Sequence, residues 1–564
     1  MLIICRLFAY FFTLCLIILS DPMPLHAAEA PILRALVVQP DSQTGVTDTQ
    51  PGIDVSRLPD DGRAGLSADL SPLLGHGIDK ALLDTATRIV TTHFTALGHP
   101  FVDIGFPPQD ITDGTLRIVV AEYRIASVSV ADNRWFADNV IKTAAGLVPD
   151  ETIDKSALDR RLSEFGTSPF VKITPEFQPG SLPDTTRVTL HTEDRVPVQA
   201  VLGYADSGAA STGWDRWMLG VNAADPALSG AQISYAFVSS NGQWQRGTAA
   251  DENPVFAQHQ ASLTLPQPSG DRLTLSGSYA RQIPSLGPDL GSLGINTNLG
   301  LDYTRPLVRG PASAWGAVGE AVGIGYDFKR SNNNLAFGGL SVQSTYTVLS
   351  EFSLHYGAGF PNAIGLLQAQ NTLVLSPGNM MPENTTRALR PLGTAQSGTP
   401  GAEARYVYDR LTLTQLAPLP HDFGLVLRAS LQAASTNLLA SEQLSIAGAD
   451  AVRGYQEFGA AGSQGVVFST ELRGPSFSPS ALLTGHDGRD TAQLHIFGDI
   501  GRAWNPTASS ATPAASRTAS LGVGGQLMVA ENLSVRLEQG WQVERDNRQG
   551  ARGAFLHAAV TMTW

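Results

Sequence analysis

Two short segments hold residue types from which a defined chemistry can be built. Val452-Arg453-Gly454-Tyr455 sets one cation beside a glycine and an aromatic ring, and further along Phe497, Asp499 and Gly501 set one carboxylate in the apolar run Ile496-Phe497-Gly498-Asp499-Ile500-Gly501. A guanidinium and a carboxylate that both leave bulk water meet best as a bidentate pair, because the planar fork of one matches the two oxygens of the other. That is the chemistry of a buried brace. The sequence offers little for catalysis: its 11 histidines are scattered, with no His-Glu-x-x-His spacing and no nucleophile elbow. Gly323-Ile324-Gly325 and Gly522-Val523-Gly524-Gly525 sit in strand-like segments, where glycine more often reflects close backbone packing than a phosphate cradle. No catalytic residue and no cofactor is expected.

What surrounds these segments must then explain why a charge pair would be buried. The chain of 564 residues is too long for one ordinary core. Charged residues make up only 16%, glycine and proline are plentiful, and mean hydropathy is close to zero. Strands in which apolar and polar positions alternate produce such an average. A net charge of -13 argues against a nucleic-acid partner, since phosphates call for clustered lysine and arginine. Residues 1–30 read as an export signal: Arg6 precedes an apolar run from Leu7 to Leu19, followed by the small-x-small pattern Ala28-Glu29-Ala30. A lone membrane anchor is the competing reading, but the run is short for a bilayer. Both cysteines, Cys5 and Cys15, fall inside this segment, so the mature chain is expected to hold no disulfide and no metal site built on cysteine. After Ala30 no apolar run approaches the length of a membrane helix, so a membrane location would require a barrel.

Residues 31–124 and 125–196 read as two small α+β modules, each in the order strand, helix, helix, strand, strand; one irregular α+β domain is the alternative. Ile78, Leu82, Ala86, Ile89, Val90, Phe94 and Leu97 fall on one helical face that Gly98 and Pro100 terminate. A second helix carries Leu158, Leu162 and Phe165, with Asp154 as its N-cap and Gly166 as its stop. Short alternating strands are expected at Leu116, Ile118 and Val120, at Ala126, Val128 and Val130, and at Val188 and Leu190.

From 197 to 564 helical periodicity gives way to period-two segments separated by polar, glycine-rich or proline-rich stretches, as expected of an all-β transmembrane barrel of 16 antiparallel strands. The last strand alternates Leu556, Ala558, Val560, Met562 and Trp564 with His557, Ala559, Thr561 and Thr563. The weakest signal is the eighth strand, near Leu340 to Glu351. With an even strand number, the carboxyl terminus returns to the side of the modules, so connections after odd strands face outward. Residues 241–256, 377–403, 433–463 and 505–517 form long outward connections; 266–270, 308–313, 416–421 and 529–532 form short inner ones; 473–490 is long on the inner side. Asn384-Thr385-Thr386, formally a glycosylation sequon, reads as polar filler in an outward loop. A soluble β-sandwich array explains neither the terminal strand nor the loop asymmetry. The frame places Arg453 on the outward connection between strands eleven and twelve. Asp499 falls on strand thirteen, on the face shared with Gln493, His495, Phe497 and Gly501, which points into the lumen.

These motifs resemble those of the two-partner secretion outer-membrane transporters, the TpsB or hemolysin activation and secretion type, within the POTRA-barrel superfamily. In that superfamily the sixth loop carries Val-Arg-Gly-Tyr or Val-Arg-Gly-Phe and a later strand carries Phe-x-Asp-x-Gly, matched here by Val452 to Tyr455 and by Phe497, Asp499 and Gly501. Pro108, Gln109 and Asp110, followed by Gly114 and Leu116, resemble the POTRA signature of the secretion transporters. Val308-Arg309-Gly310 repeats three residues of the loop motif at an expected short turn. Two departures stand out: Tyr123 occupies a place where the family often has glycine, and no clear plug helix precedes the first module.

The resemblance implies a monomeric protein of a Gram-negative outer membrane, with its POTRA modules in the periplasm. Its partners would be a secreted hemolysin- or adhesin-like exoprotein, outer-membrane lipid and, during biogenesis, the barrel assembly machinery, which the terminal Trp564 helps to engage. An exposed sheet edge on a module can take up an extended client as an added strand, through main-chain bonds that tolerate varied sequence. Insertion or assembly of other outer-membrane proteins is the alternative, and a passive porin the weaker third.

Overall fold

The computed structural model describes residues 31–564 except 41–49, 60–62, 64, 166–167, 228–229, 242–254, 268, 285–289, 308–317, 338–339, 391–398, 486–487, 509–514 and 545–552. The export segment 1–30, Gly166 and the Val308-Arg309-Gly310 repeat lie outside the described residues. The chain divides between Tyr123 and Arg124 into two compact units.

The first unit contains β1 (Ala35–Pro40), β2 (Gly52–Asp54), α1 (Leu66–Leu70), α2 (Lys80–Ala96), β3 (Val102–Gly105) and β4 (Thr115–Glu122), with sheet order β2-β1-β4-β3. α2 forms where the apolar spacing is helical: Leu82, Ala86, Val90 and Phe94 are buried against Leu36, Val38, Leu116, Ile118 and Val120 of the sheet. The Asp79 carboxylate caps it by accepting from the Leu82 amide at 2.8 Å, and Gly98 beyond its end takes the left-handed φ of 93°. One strand exceeds the expected order. β2 pairs in parallel with β1, and a three-residue Gly-Ile-Asp strand carries too little alternation to be read from sequence.

The second unit opens with β5 (Arg124–Ala131), α3 (Asp138–Ala145), α4 (Lys155–Phe165), β6 (Val171–Pro179) and β7 (Thr185–Asp194), in sheet order β5-β7-β6. Asp154 caps α4 by accepting from the Ala157 amide at 2.8 Å. The inward face of β5 differs from expectation: a register shift between Ile125 and Ser127 turns Ala126 to solvent and puts Ile125 in the core. At the far end of β7 the Asp194 carboxylate accepts from the amides of Trp135 and Phe136 at 2.6 and 2.8 Å, fixing the entry to α3. The Ala137 amide then donates to Pro226 O at 2.8 Å, which seats this module on the connection 225–231.

His191 on β7 bridges Asp132 at 2.7 Å and Glu176 at 2.8 Å. Its bonds to Asp132 and then Glu176 raise its pKa above the usual 6.5. A raised folded value means that the tie is complete below the unfolded pKa and is lost as pH rises through the folded one. The group is exposed, so the effect on stability is small. In histidine-labelled protein, the resonance removed by His191→Gln is expected to titrate above 6.5; titration below that value would contradict the bridge.

Sixteen strands then close a barrel. They are β8 (Val198–Ala205), β9 (Arg216–Ala224), β10 (Gln232–Ser239), β11 (Phe256–Pro266), β12 (Arg272–Gln282), β13 (Leu290–Pro306), β14 (Val318–Phe337), β15 (Leu340–Asn362), β16 (Gly365–Ser376), β17 (Tyr406–Pro418) and β18 (Gly424–Ala434), then β21 (Gln464–Arg473), β22 (Asp490–Trp504), β23 (Ala515–Val529), β24 (Leu533–Glu544) and β25 (Ala554–Thr563). A small hairpin, β19 (Leu444–Ser445) with β20 (Ala461–Gly462), lies within the loop between β18 and β21. Every neighbouring pair is antiparallel, and β25 closes on β8 from Ala559↔Ala205 to Thr563↔Val201. The backbone of Trp564 prolongs that seam, exchanging bonds with Ala200 at 3.0 and 3.1 Å. On β22 the alternation is plain: Leu494, Ile496 and Ile500 are exposed on the outer face, while His495, Phe497 and Asp499 are buried inside.

The eighth strand is real and long, running from Leu340 to Asn362, and it pairs antiparallel with β14 from Val318↔Gly359 to Phe337↔Leu340. The long inner connection 474–489 contains a short helix (Pro479–Thr484), capped by Ser478 and closed by Gly485 in the left-handed conformation. Asn384 is no filler. Its side chain is fully buried and donates to Val348 O at 2.9 Å, tying the outward loop 377–405 to β15.

In the first unit the Pro108–Leu116 signature is a folded turn. The Gln109 amide group donates to Arg117 O at 2.8 Å and accepts from the Arg117 amide at 2.7 Å, so a side chain completes the ladder beside β4. The Asp110 carboxylate accepts from Thr112, Gly114 has φ of 79° and lies against Ile32 O, where a Cβ would overlap, and Leu116 is buried.

Candidate functional site

The loop between β18 and β21, residues 435–463, folds into the barrel and carries Arg453 to the inner wall. Arg453 is 4% exposed and Asp499 1% exposed. The guanidinium donates to Asp499 twice, Nε to Oδ2 at 2.8 Å and Nη2 to Oδ1 at 2.9 Å, and the Arg453 amide adds a third bond to Oδ2 at 3.1 Å. Nη1 reaches Glu471 Oε2 on β21 and Glu538 Oε1 on β24, both at 2.9 Å, and Ser469 Oγ donates to Asp499 Oδ1 at 2.6 Å. The Phe497 ring lies under the guanidinium, its centroid 3.5 Å from Cζ. One side chain thus joins three strands.

Charge balance explains how such a cluster is tolerated. Glu471 also accepts from Arg473 Nε at 2.7 Å, and Glu538 pairs with Arg536 at 2.8 Å. Asp499, Glu471 and Glu538 are therefore matched by Arg453, Arg473 and Arg536, three charges of each sign. His495 Nε2 lies 3.1 Å from Glu538 Oε1. Ligand atoms of Glu471, His495 and Glu538 come within 4.8 Å of one another, a spacing open to a cation, but the guanidiniums already satisfy both carboxylates.

The neighbours of Arg453 in the motif are positioned by shape. Val452 and Tyr455 are fully buried in an apolar cluster with Leu444, Ile446, Ala447, Ala460, Val467 and Ala503. The Tyr455 hydroxyl donates to Glu544 O and receives the Ala519 amide at 3.1 Å. Gly454 has φ of 89°, and a Cβ there would lie 2.9 Å from the Gly540 carbonyl carbon. Gly501 makes room for Val452 and Ile446, since its Cβ would fall 2.9 Å from Ile446 Cβ. Gly522 makes room for the Phe497 ring in the same way.

The sequence paired Arg453 with Asp499 but did not assign Ser469, Glu471, Glu538 or Gly540 to that pair. Their signal was faint but present: each sits on the inward face of a period-two strand, where a charge or a glycine has no use toward lipid. A second polar group, also unread in the sequence, lies on another arc of the wall. Lys329 Nζ on β14 contacts Glu351 on β15 and Glu442 of the loop, each at 2.8 Å. The Tyr406 hydroxyl donates to Glu351 and the Tyr408 hydroxyl to Glu442 at 2.9 Å.

Residues 184–526 match a family model described as haemolysin secretion/activation protein ShlB/FhaC/HecB. The outer membrane transporter CdiB of Dickeya dadantii (strain 3937) is 24% identical over 445 residues, which span 77% of this chain and 72% of that protein. Among solved structures, CdiB from Escherichia coli superposes with a TM-score of 0.73 at 17% identity, covering 97% of this chain and 93% of its own. CdiB from Acinetobacter baumannii gives 0.68 at 14% identity, covering 97% and 92%. At these identities the structures speak for the fold.

Proposed function

Because the chain belongs to the haemolysin secretion/activation family ShlB/FhaC/HecB, a family of outer-membrane transporters that export a partner exoprotein, we propose that its two modules take up an unfolded client and that the loop anchored by Arg453 governs the client's passage through the barrel. The modules are residues 31–124 and 125–196, the barrel 197–564, and residues 1–30 the export signal. The protein sits in the outer membrane with its modules in the periplasm. It works as a monomer, inserted by the barrel assembly machinery through its terminal strand and Trp564.

The observation that carries this reading is a loop held inside a closed barrel by a buried, charge-balanced cluster. A loop that fills part of the lumen must be placed reproducibly if it is to gate or guide a chain. Main-chain pairing at a module edge suits an unfolded client, because it reads backbone rather than side chains. No step in this scheme requires a nucleotide or a catalytic group. Insertion of other barrels has less support, since the family match lies with secretion.

Deletion of this chain from its host is expected to remove one large exoprotein from the medium while leaving the profile of outer-membrane proteins unchanged. Loss of many outer-membrane proteins together would shift the reading to assembly.

A further inference from the structure

The loop that carries Arg453 is tied down a second time, on another arc of the wall. Glu442 lies eleven residues before Arg453 and is 3% exposed. Its carboxylate receives Lys329 Nζ at 2.8 and 2.9 Å and the Tyr408 hydroxyl at 2.9 Å. Its main-chain oxygen is held as well, by Gln432 Nε2 at 2.9 Å and Arg410 Nη2 at 3.3 Å. Lys329 belongs to the seventh barrel strand, Tyr408 to the tenth and Gln432 to the eleventh, whereas Arg453 bonds to the twelfth, thirteenth and fifteenth. The two sets of contacts together run around the wall from the seventh strand to the fifteenth. The loop is therefore held to the wall by two ionic anchors on neighbouring arcs, which meet where the eleventh strand pairs with the twelfth.

The two anchors are built differently. The cluster at Arg453 is balanced in charge and backed by the apolar packing of Val452 and Tyr455. At Glu442 one ammonium serves two carboxylates, Glu442 and the 1%-exposed Glu351, and the shortfall is met by neutral tyrosine hydroxyls. Glu351 can keep Lys329 when Glu442 leaves, so release at this end strands no buried cation. The Arg453 end has no such substitute.

From this asymmetry we propose that Lys329 and Glu442 form the releasable latch of the loop, holding it inside the lumen in the closed state and letting go first when the pore opens, while Arg453 remains the hinge. Lys329 and Glu442 are positioning residues: they touch the loop and the wall, and their effect on export passes through the loop. This builds on the secretory reading above, but its first test needs no client.

Single-channel conductance of the purified full-length protein in planar lipid bilayers reads the latch directly. Glu442→Gln is expected to raise the fraction of time spent open at least about tenfold, by removing a charge-assisted bond from the closed state only, and Lys329→Met is expected to raise it by at least as much, by leaving Glu442 facing Glu351 with no ammonium between them. Heat-modifiable gel migration establishes that each variant is a folded barrel. A Lys329→Cys/Glu442→Cys pair supplies the converse: bridged with a short bismaleimide, it is expected to stay closed and to block export, and left unbridged to behave like the single variants. Wild-type conductance in both single variants, with folded barrels, would overturn the latch, as would unimpaired opening of the bridged pair. If the wild-type protein exports no exoprotein while the variants still differ in conductance, the secretory reading fails and the latch stands.

Discussion

Arg453→Ala is expected to leave a folded, inserted barrel that exports its partner at about a tenth of the wild-type level or less, since removing one partner of a buried ion pair costs about 3–5 kcal/mol. The loss has three parts. Asp499, Glu471 and Glu538 would be left with two guanidiniums for three carboxylates. The Phe497 ring would lose the cation 3.5 Å above it. The loop would lose the only side chain that it extends to β21, β22 and β24 together. The barrel itself should survive, because its stability rests on sixteen strands whose main-chain bonds close on themselves and do not pass through the loop. Arg453→Lys keeps the charge but not the fork, so it can serve Asp499 or the glutamates but not all three; partial export is expected. Exoprotein in the medium, scored against the heat-modifiable barrel in the membrane, separates these outcomes. Export at the wild-type level by Arg453→Ala would make the cluster a brace without a part in transport.

The barrel was legible because its governing constraint is periodic. Strands that face lipid on one side alternate over their whole length, and β22 and β25 state this residue by residue. The pairing of Arg453 with Asp499 was legible for a related reason, since a carboxylate on an inner wall calls for a partner and a long outward loop that folds inward can bring it an arginine. Tertiary register was not legible. Whether Glu471 and Glu538 stand level with Asp499 depends on the stagger between β21, β22 and β24, and period two says only that they face the lumen. The Ala126 misreading has the same root, a one-residue bulge that alternation cannot show. Glu442 escaped notice because a loop has no period at all. Its partner Lys329 lies more than a hundred residues away, and nothing local marks either as half of a pair.

Gly540→Val is expected to reduce export as far as Arg453→Ala does, although it removes no charge and alters no residue of the loop motif. Gly540 stands on the inward face of β24, two residues from Glu538, and a Cβ there would lie 2.5 Å from Gly454 N, 2.6 Å from Gly454 Cα and 2.8 Å from the Arg453 carbonyl carbon. All three are main-chain atoms, so no rotamer can relieve the contact. Valine suits a strand, and β24 should pair as before. The strain therefore falls on the loop, which must lift from the wall and draw Arg453 out of its bidentate geometry with Asp499. Gly454→Ala meets the same wall from the other side and adds the cost of a φ of 89°, about 1–3 kcal/mol for a residue with a side chain. If glycine and arginine act through one seated loop, the double variant Arg453→Ala/Gly540→Val should export no less than either single variant, because the second change finds the loop already released. A double variant whose loss is the product of the two single losses would separate the glycine contact from the ionic anchor and show that the loop is held at this wall by two independent devices.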